Sequence, residues 1–90
     1  MDDHDEMSRI QAVKAKYERR LLKKRNVVGV GIGYREIGDQ LTQQIVITVL
    51  VEKKQPLDSL HKRDIIPSEL DGVRVDVREV GEMRAWGEMQ

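Results

Sequence analysis

The chain has 90 residues, no cysteine and no phenylalanine, and its formal net charge is zero. This length predicts a single domain over residues 1–90 with a small core of valine, isoleucine, leucine and methionine. The missing cysteines exclude disulfides and thiol chemistry, and no apolar run approaches the roughly 20 residues that span a bilayer. The acidic start lacks the apolar segment of a secretory signal, so we expect a cytoplasmic protein with no membrane partner.

The charges form blocks. Residues 1–7 are acidic, and we predict that they form a flexible start. From Arg9 to Arg25, eight basic residues are opposed by Glu18 alone. Such a block can bind nucleic acid or an acidic partner, although a solvated helix face is its more frequent meaning. The candidate contact residues are Lys16, Arg19, Arg20, Lys23, Lys24 and Arg25.

The basic block coincides with a helical pattern. Apolar residues recur at spacings of three and four from Met7 to Leu21, which predicts a helix with one buried face. Ser8 and Gln11 fit a capping box, and Asn26 suits the left-handed conformation that often ends helices. The prediction is a helix over residues 8–25.

Residues 26–34 read N-V-V-G-V-G-I-G-Y and predict the centre of the first strand, over 27–37. Successive side chains of a strand point to opposite faces, so Gly29, Gly31 and Gly33 leave one face as bare backbone. Another element must approach that face closely, and the candidates are the N-terminal helix or a second molecule; we favour the helix. The spacing is wrong for a dinucleotide-binding loop, which needs G-x-G-x-x-G leading into a helix.

Two further strands complete the predicted sheet. Gly38 and Asp39 form a two-residue hairpin signal, and residues 42–51 follow as a strand that is apolar on both faces. A long connection from Pro56 contains two predicted short turns, over 56–61 and 67–70, before a third strand that starts at Val73 and ends near Gly81.

This pattern predicts an α+β fold: an N-terminal helix on a three-stranded mixed sheet, in the order helix, strand, strand, crossover, strand. The crossover makes the third strand parallel to the second. The third strand can lie beside the second or beside the first, and the pattern leaves both orders open. Residues 82–90 form a predicted tail that is docked on the domain or frayed, or whose Trp86 is an anchor for a partner.

No constellation with a reactive function is apparent. His4 and His61 lie far apart in polar surroundings, and the serines fit caps or turns. We therefore predict no catalytic residue, no metal site, no cofactor and no small-molecule ligand. The scarcity of aromatic residues also argues against an RNA-recognition surface, where bases stack on aromatic rings.

Three segments together suggest a family. These are N-V-V-G-V-G-I-G-Y, then I-V-I-T-V-L-V-E-K-K-x-P-L, then I-I-P-S-E-L-D-G-V-R-V-D-V-R-E-V-G. This order resembles the N-terminal segment that precedes the peptidase domain in a group of bacterial trypsin-like serine peptidase proteins. The resemblance implies a non-catalytic leader module. It carries over structural markers only: Gly29, Gly31, Gly33, Pro56, Pro67 and Gly72.

Residues 1–90 include no peptidase domain, so the resemblance supplies no catalytic residue, and we expect a non-enzyme. The favoured hypothesis is a structural or protein-interaction module that can self-associate, with Gly29, Gly31, Gly33 and Trp86 as candidate interaction residues. The alternative is a nucleic-acid-binding protein that uses the basic helix over 9–25. An enzyme is the least favoured hypothesis.

Overall fold

One helix packs on a four-stranded mixed sheet. A computed structural model describes residues 3–56 and 60–80 of the chain. In chain order the elements are α1 (Asp3–Leu22), β1 (Val27–Ile37), β2 (Gln40–Val51), a 3-10 turn (Lys62–Asp64), β3 (Glu69–Leu70) and β4 (Val73–Glu79). The predicted α+β class is confirmed, with four strands instead of three.

α1 begins five residues before the predicted Ser8 and ends three residues before Arg25. The early start places residues 3–7, predicted as a flexible acidic start, inside the helix. Acidic residues such as Asp5 and Glu6 favour the first turns because a helix N-terminus carries partial positive charge. These acidic residues favour an earlier helix start more strongly than the capping box favours a start at Ser8, and Ser8 lies inside the helix.

The end of α1 leads into β1 through a compact turn. Lys24 N donates to Leu21 O at 3.1 Å. Asn26 has a φ of +77°, as predicted for this position, but it closes the connection rather than the helix. Its side-chain Oδ1 accepts from Lys53 N at 3.3 Å, and its backbone O accepts from Glu52 N at 3.0 Å. Asn26 therefore fastens the start of β1 to the segment that follows β2.

The sheet has the order β1-β2-β4-β3. β1 and β2 form the predicted antiparallel hairpin, with Gly38 at a φ of +63°, and β4 runs parallel to β2 as predicted. β2 is therefore an interior strand, which explains why both of its faces are apolar. This order resolves the alternative that the sequence left open, and it makes β1 an outer strand.

The predicted helical turn over 67–70 is wrong. Glu69–Leu70 is instead a short strand that pairs antiparallel with β4. Asp71 and Gly72 form the connecting turn, with φ values of +49° and +82°. Asp-Gly is a favoured pair for a hairpin turn in which both central residues need positive φ. The predicted turn over 56–61 includes residues 57–59, which lie outside the described residues.

The core lies between α1 and one face of the sheet. Ile10, Val13 and Leu21 of the helix are buried, as the spacing predicts, and they join Ile47 and Val49 of β2 in one cluster. Val30 and Ile32 of β1 pack against this cluster. The glycines of β1 point to the opposite face, so the expectation that the helix covers them is wrong.

The glycine face (the side of the sheet away from α1) is partly covered by the end of the β1-β2 hairpin. Glu36 N donates to Asp76 Oδ2 at 3.0 Å, although β1 and β4 are not neighbours in the sheet. The hairpin end must therefore fold over β2. This cover explains why Val46 is fully buried and Thr48 nearly so on this face.

Within the described residues, no helix combines the length and the apolar character needed to cross a bilayer.

Candidate functional site

The first candidate surface is the β1 edge, defined here as the outer side of residues 27–34. On its inner side, residues 29–34 pair with residues 45–50 of β2 in regular antiparallel register, and an irregularity interrupts the pairing at each end. No charged residue and no proline occurs from Val27 to Tyr34. Edge strands usually carry such residues because unpaired backbone groups otherwise recruit another strand.

Exposed apolar side chains are concentrated along this strand. Among the described residues, five large apolar side chains are exposed, and three of them belong to β1. Val28 is 41% exposed, Tyr34 53% and Ile37 56%, so apolar groups stand at both ends of the regular stretch. Leu41, opposite the hairpin end on β2, is a fourth.

The three predicted glycines of this surface differ in what lies above them. A Cβ at Gly33 would stand 3.0 Å from Thr48 Oγ1, and one at Gly29 would stand 3.3 Å from Leu50 Cδ1. At Gly31 a Cβ would meet nothing within 4 Å. Neighbouring β2 side chains therefore lean over the outer two glycines, and Gly31 is the open position between them.

The second candidate surface is a basic cluster at the carboxyl end of α1. An open depression there is lined by Arg20, Lys23, Lys24, Arg25, His61, Arg63 and Asp64. Lys24 Nζ donates to the Arg63 backbone O, and Arg25 N donates to Asp64 Oδ1 at 3.0 Å, so the crossover is held against the helix end. Five cations thus surround the depression with Asp64 as the one acid in its lining.

The predicted contact residues of the helix divide into groups. Arg20, Lys23, Lys24 and Arg25 all line the basic cluster. Arg19 is exposed but lies outside that lining. Lys16 is engaged elsewhere, because its Nζ forms an ion pair with Asp71 Oδ2 at 3.0 Å.

Asp71 collects contacts from three helix residues. Its Oδ1 accepts from Tyr17 Oη at 2.8 Å, its backbone O accepts from Arg9 Nη2 at 3.2 Å, and Lys16 completes the set. The hydrogen bonds from Lys16 and Tyr17 hold the pKa of Asp71 below its usual range, and the Asp71 carboxylate raises the pKa of Lys16. This network ties α1 to the β3-β4 turn, so Lys16 has a structural contact.

Trp86, the remaining predicted interaction residue, lies outside the described residues. Among the residues that the structure describes, no group of three or more histidine, aspartate or glutamate side chains could hold a metal ion. His61 lies in the crossover at the basic cluster, and Ser68 precedes β3.

Sequence reasoning missed two parts of these surfaces. The contribution of His61 and Arg63 to the basic cluster depends on the crossover returning to the helix end. The run H-K-R over residues 61–63 was an available signal, but nothing local links it to the helix. The outer position of β1 in the sheet that the structure describes likewise follows from the strand order and not from β1 itself.

The chain matches no model of a known protein family. A search of curated proteins also finds no match.

Proposed function

We propose that the chain is a non-catalytic protein-interaction module whose partners add an extended strand to the β1 edge. One observation carries the proposal: β1 is an outer strand, and from Val27 to Tyr34 it lacks charged residues and proline. Strand addition gains affinity from backbone hydrogen bonds and specificity from side-chain contacts on alternate residues.

The surroundings of the edge support the same function. Val28 and Tyr34 are exposed at the two ends of the regular stretch and would contact the side chains of an added strand. The open space at Gly31 leaves room for a partner side chain to lie across the backbone. The sequence resembles leader segments of bacterial trypsin-like peptidase proteins, and this resemblance implies a module without catalysis.

A peptide selection tests this function. A displayed library of random twelve-residue peptides, a length of about 40 Å when extended, is selected against the intact chain. Binders are then measured against two edge-blocking variants, Gly31→Pro and Ile32→Pro. Backbone N–H groups of neighbouring residues in a strand point to opposite sides. One of the two variants therefore loses a hydrogen bond to β2. The other loses only an N–H donor on the outer side, so it stays folded and its edge is blocked.

We expect binders with alternating apolar residues whose affinity falls at least about tenfold on the folded edge-blocking variant. Circular dichroism identifies that variant, and Gln43→Ala, an exposed β2 substitution, is the control with unchanged affinity. A selection that gives no binder, or binders indifferent to the block, would remove the proposal.

Nucleic-acid binding is a second candidate function, supported by the basic cluster. The crossover adds Arg63 to the four cations at the carboxyl end of α1, which concentrates five positive charges around one depression. Phosphate groups are the natural ligands of such a surface, and their binding weakens steeply with salt.

Titration with labelled single- and double-stranded DNA and RNA separates this function from the first. The double variant Lys23→Ala with Arg63→Ala should bind about tenfold more weakly and reduce the logarithmic salt slope by about 1–2. The control removes two cations, Arg74 and Arg78, from the glycine face and should leave binding unchanged. Equal losses in both double variants would argue for non-specific attraction, and no binding at low salt would exclude the function.

A further inference from the structure

We propose that one partner of the β1 edge is a second copy of the same chain, paired antiparallel about a two-fold axis at Gly31. This inference rests on the proposed function, since it names an occupant for the edge. The regular stretch over 29–34 is bounded by irregularities on both sides, so it limits how a partner strand can be placed.

The sequence of the strand is close to a palindrome about Gly31. Residues 28–34 read V-G-V-G-I-G-Y. In an antiparallel pair, residues directly opposite each other have side chains on the same face. With Gly31 opposite Gly31 of the other copy, Gly29 lies opposite Gly33, and Val30 lies opposite Ile32.

In this register, similar residues of the two copies lie side by side on each face of the joined sheet. Val30 and Ile32 face α1, so their pairing extends the apolar layer beneath the helix from one copy to the next. The glycines continue the bare backbone of the opposite face. The exposed side chains of Val28 and Tyr34 come opposite each other and lose contact with water.

The charges permit the same arrangement. In this register the regular stretch meets only the uncharged residues 28–34 of the other copy, and Val27 lies opposite Arg35 at its end. No two like charges lie directly opposite each other in the paired strands. Shifting the register by two residues in one direction instead brings Val28 opposite Glu36 and Gly29 opposite Arg35, which buries charge against the apolar stretch.

The two-fold symmetry closes the assembly. A pair of identical patches forms an isologous dimer and leaves no free β1 edge for further addition. The paired strands are short, and the interface is smaller than the roughly 1,200–2,000 Å² of stable specific complexes. We therefore expect a weak dimer with a dissociation constant of about 10 µM to 1 mM.

Gly31 allows a test that spares the isolated chain. A Cβ there meets nothing within 4 Å in its own chain, but in the dimer the new side chain would lie beside its symmetry mate. Like charges directly opposite on a sheet repel, so Gly31→Lys and Gly31→Glu should each weaken the dimer about tenfold. An equal mixture of the two variants should restore association, because opposite charges then meet.

Sedimentation equilibrium up to about 1 mM measures these variants, with Gln43→Lys as the control of equal charge. A second test uses the absence of cysteine: Gly31→Cys should form an intermolecular disulfide under mild oxidation, since opposed Cα atoms lie within disulfide range. Gln43→Cys should not cross-link at a comparable rate.

A wild-type chain that stays monomeric at the highest concentration would overturn the inference. So would a dimer that Gly31→Lys leaves intact, or a mixture of the Lys and Glu variants that does not associate. Peptides that bind the β1 edge of such a monomer would leave the proposed function standing. A chain that neither binds such peptides nor dimerises would overturn the proposed function and the inference together.

Discussion

Glycine has different roles at two positions of this chain. Gly72 occupies the left-handed region at a φ of +82° in the β3-β4 turn, and a Cβ there would stand 2.6 Å from Arg9 Nη2. Gly31 has an ordinary strand conformation with open space above it. The first glycine is required by the turn, whereas the second is a cost to the strand that no contact of the described residues requires.

Alanine at the two positions should therefore change stability in opposite directions. Gly72→Ala should lower the free energy of unfolding by about 1–2 kcal/mol, because the side chain strains the backbone and displaces Arg9. Gly31→Ala should raise it by about 0.4–1 kcal/mol by restricting the unfolded chain. Urea denaturation at low protein concentration measures both free energies. Equal decreases in the free energy of unfolding would show that contacts within the chain also require glycine at position 31.

Asp71 predicts a pH dependence with a defined sign. Its pKa is lowered from 3.8 by hydrogen bonds from Lys16 and Tyr17, so its contribution to stability is present above that value and lost as pH falls through the folded-state pKa. The pKa of Lys16 is raised from 10.5, so its contribution is lost as pH rises through the folded-state value.

The variant Asp71→Asn keeps a residue that tolerates positive φ but removes the charge. The Tm difference between wild type and variant should stay constant from about pH 5 to pH 9 and shrink at both extremes. The groups are exposed, so the whole difference should be small. A difference that persists unchanged at acid pH would mean that the carboxylate charge does not stabilise the turn.

At the scale of elements, the end of the β1-β2 hairpin is held down by β4. The side chain of Asp76 accepts from Glu36 N at 3.0 Å and from Arg74 Nε at 3.1 Å. The ion pair between Glu36 and Arg78 is longer, at 3.7 Å, and both of its side chains are exposed. The hydrogen bond to Asp76 is therefore the stronger fastening of the hairpin end over Val46.

Asp76→Ala should lower the free energy of unfolding by about 1 kcal/mol, since it removes a charged acceptor from a backbone donor. It should also speed amide hydrogen exchange at the hairpin end. Glu36→Ala, which removes only the exposed ion pair, should change stability by less than about 0.5 kcal/mol. If Glu36→Ala destabilised the chain more than Asp76→Ala, the ion pair and not the hydrogen bond to Asp76 would hold the hairpin end.

The elements also show where sequence reasoning reaches its limit. Alternation predicted β1 with correct bounds, and the length of the crossover predicted the parallel direction of β4. β3 has two residues, too few to show an alternating pattern, and it depends on pairing with β4. The start of α1 was misplaced because two local signals compete, the acidic residues and the cap at Ser8.

At the scale of the whole molecule, the position of an element decides its role. The glycine pattern predicted a bare strand face correctly, but which face α1 covers depends on the packing of Val30 and Ile32 against distant residues of β2. The basic cluster likewise joins residues 20–25 to Arg63 only because the chain returns to the helix end. Such contacts join segments distant in the chain, and local patterns carry no information about them.

The proposed function requires the β1 edge to be an open pairing surface. Amide hydrogen exchange of residues 29–34, measured residue by residue at about 10 µM and about 1 mM protein, tests it most directly. At the lower concentration, alternate amides should exchange rapidly while those bonded to β2 stay protected, and the rapid ones should become protected at the higher concentration. Equal protection of all these amides in a chain that light scattering shows to be monomeric would contradict the account, because the edge would then be covered within the chain itself.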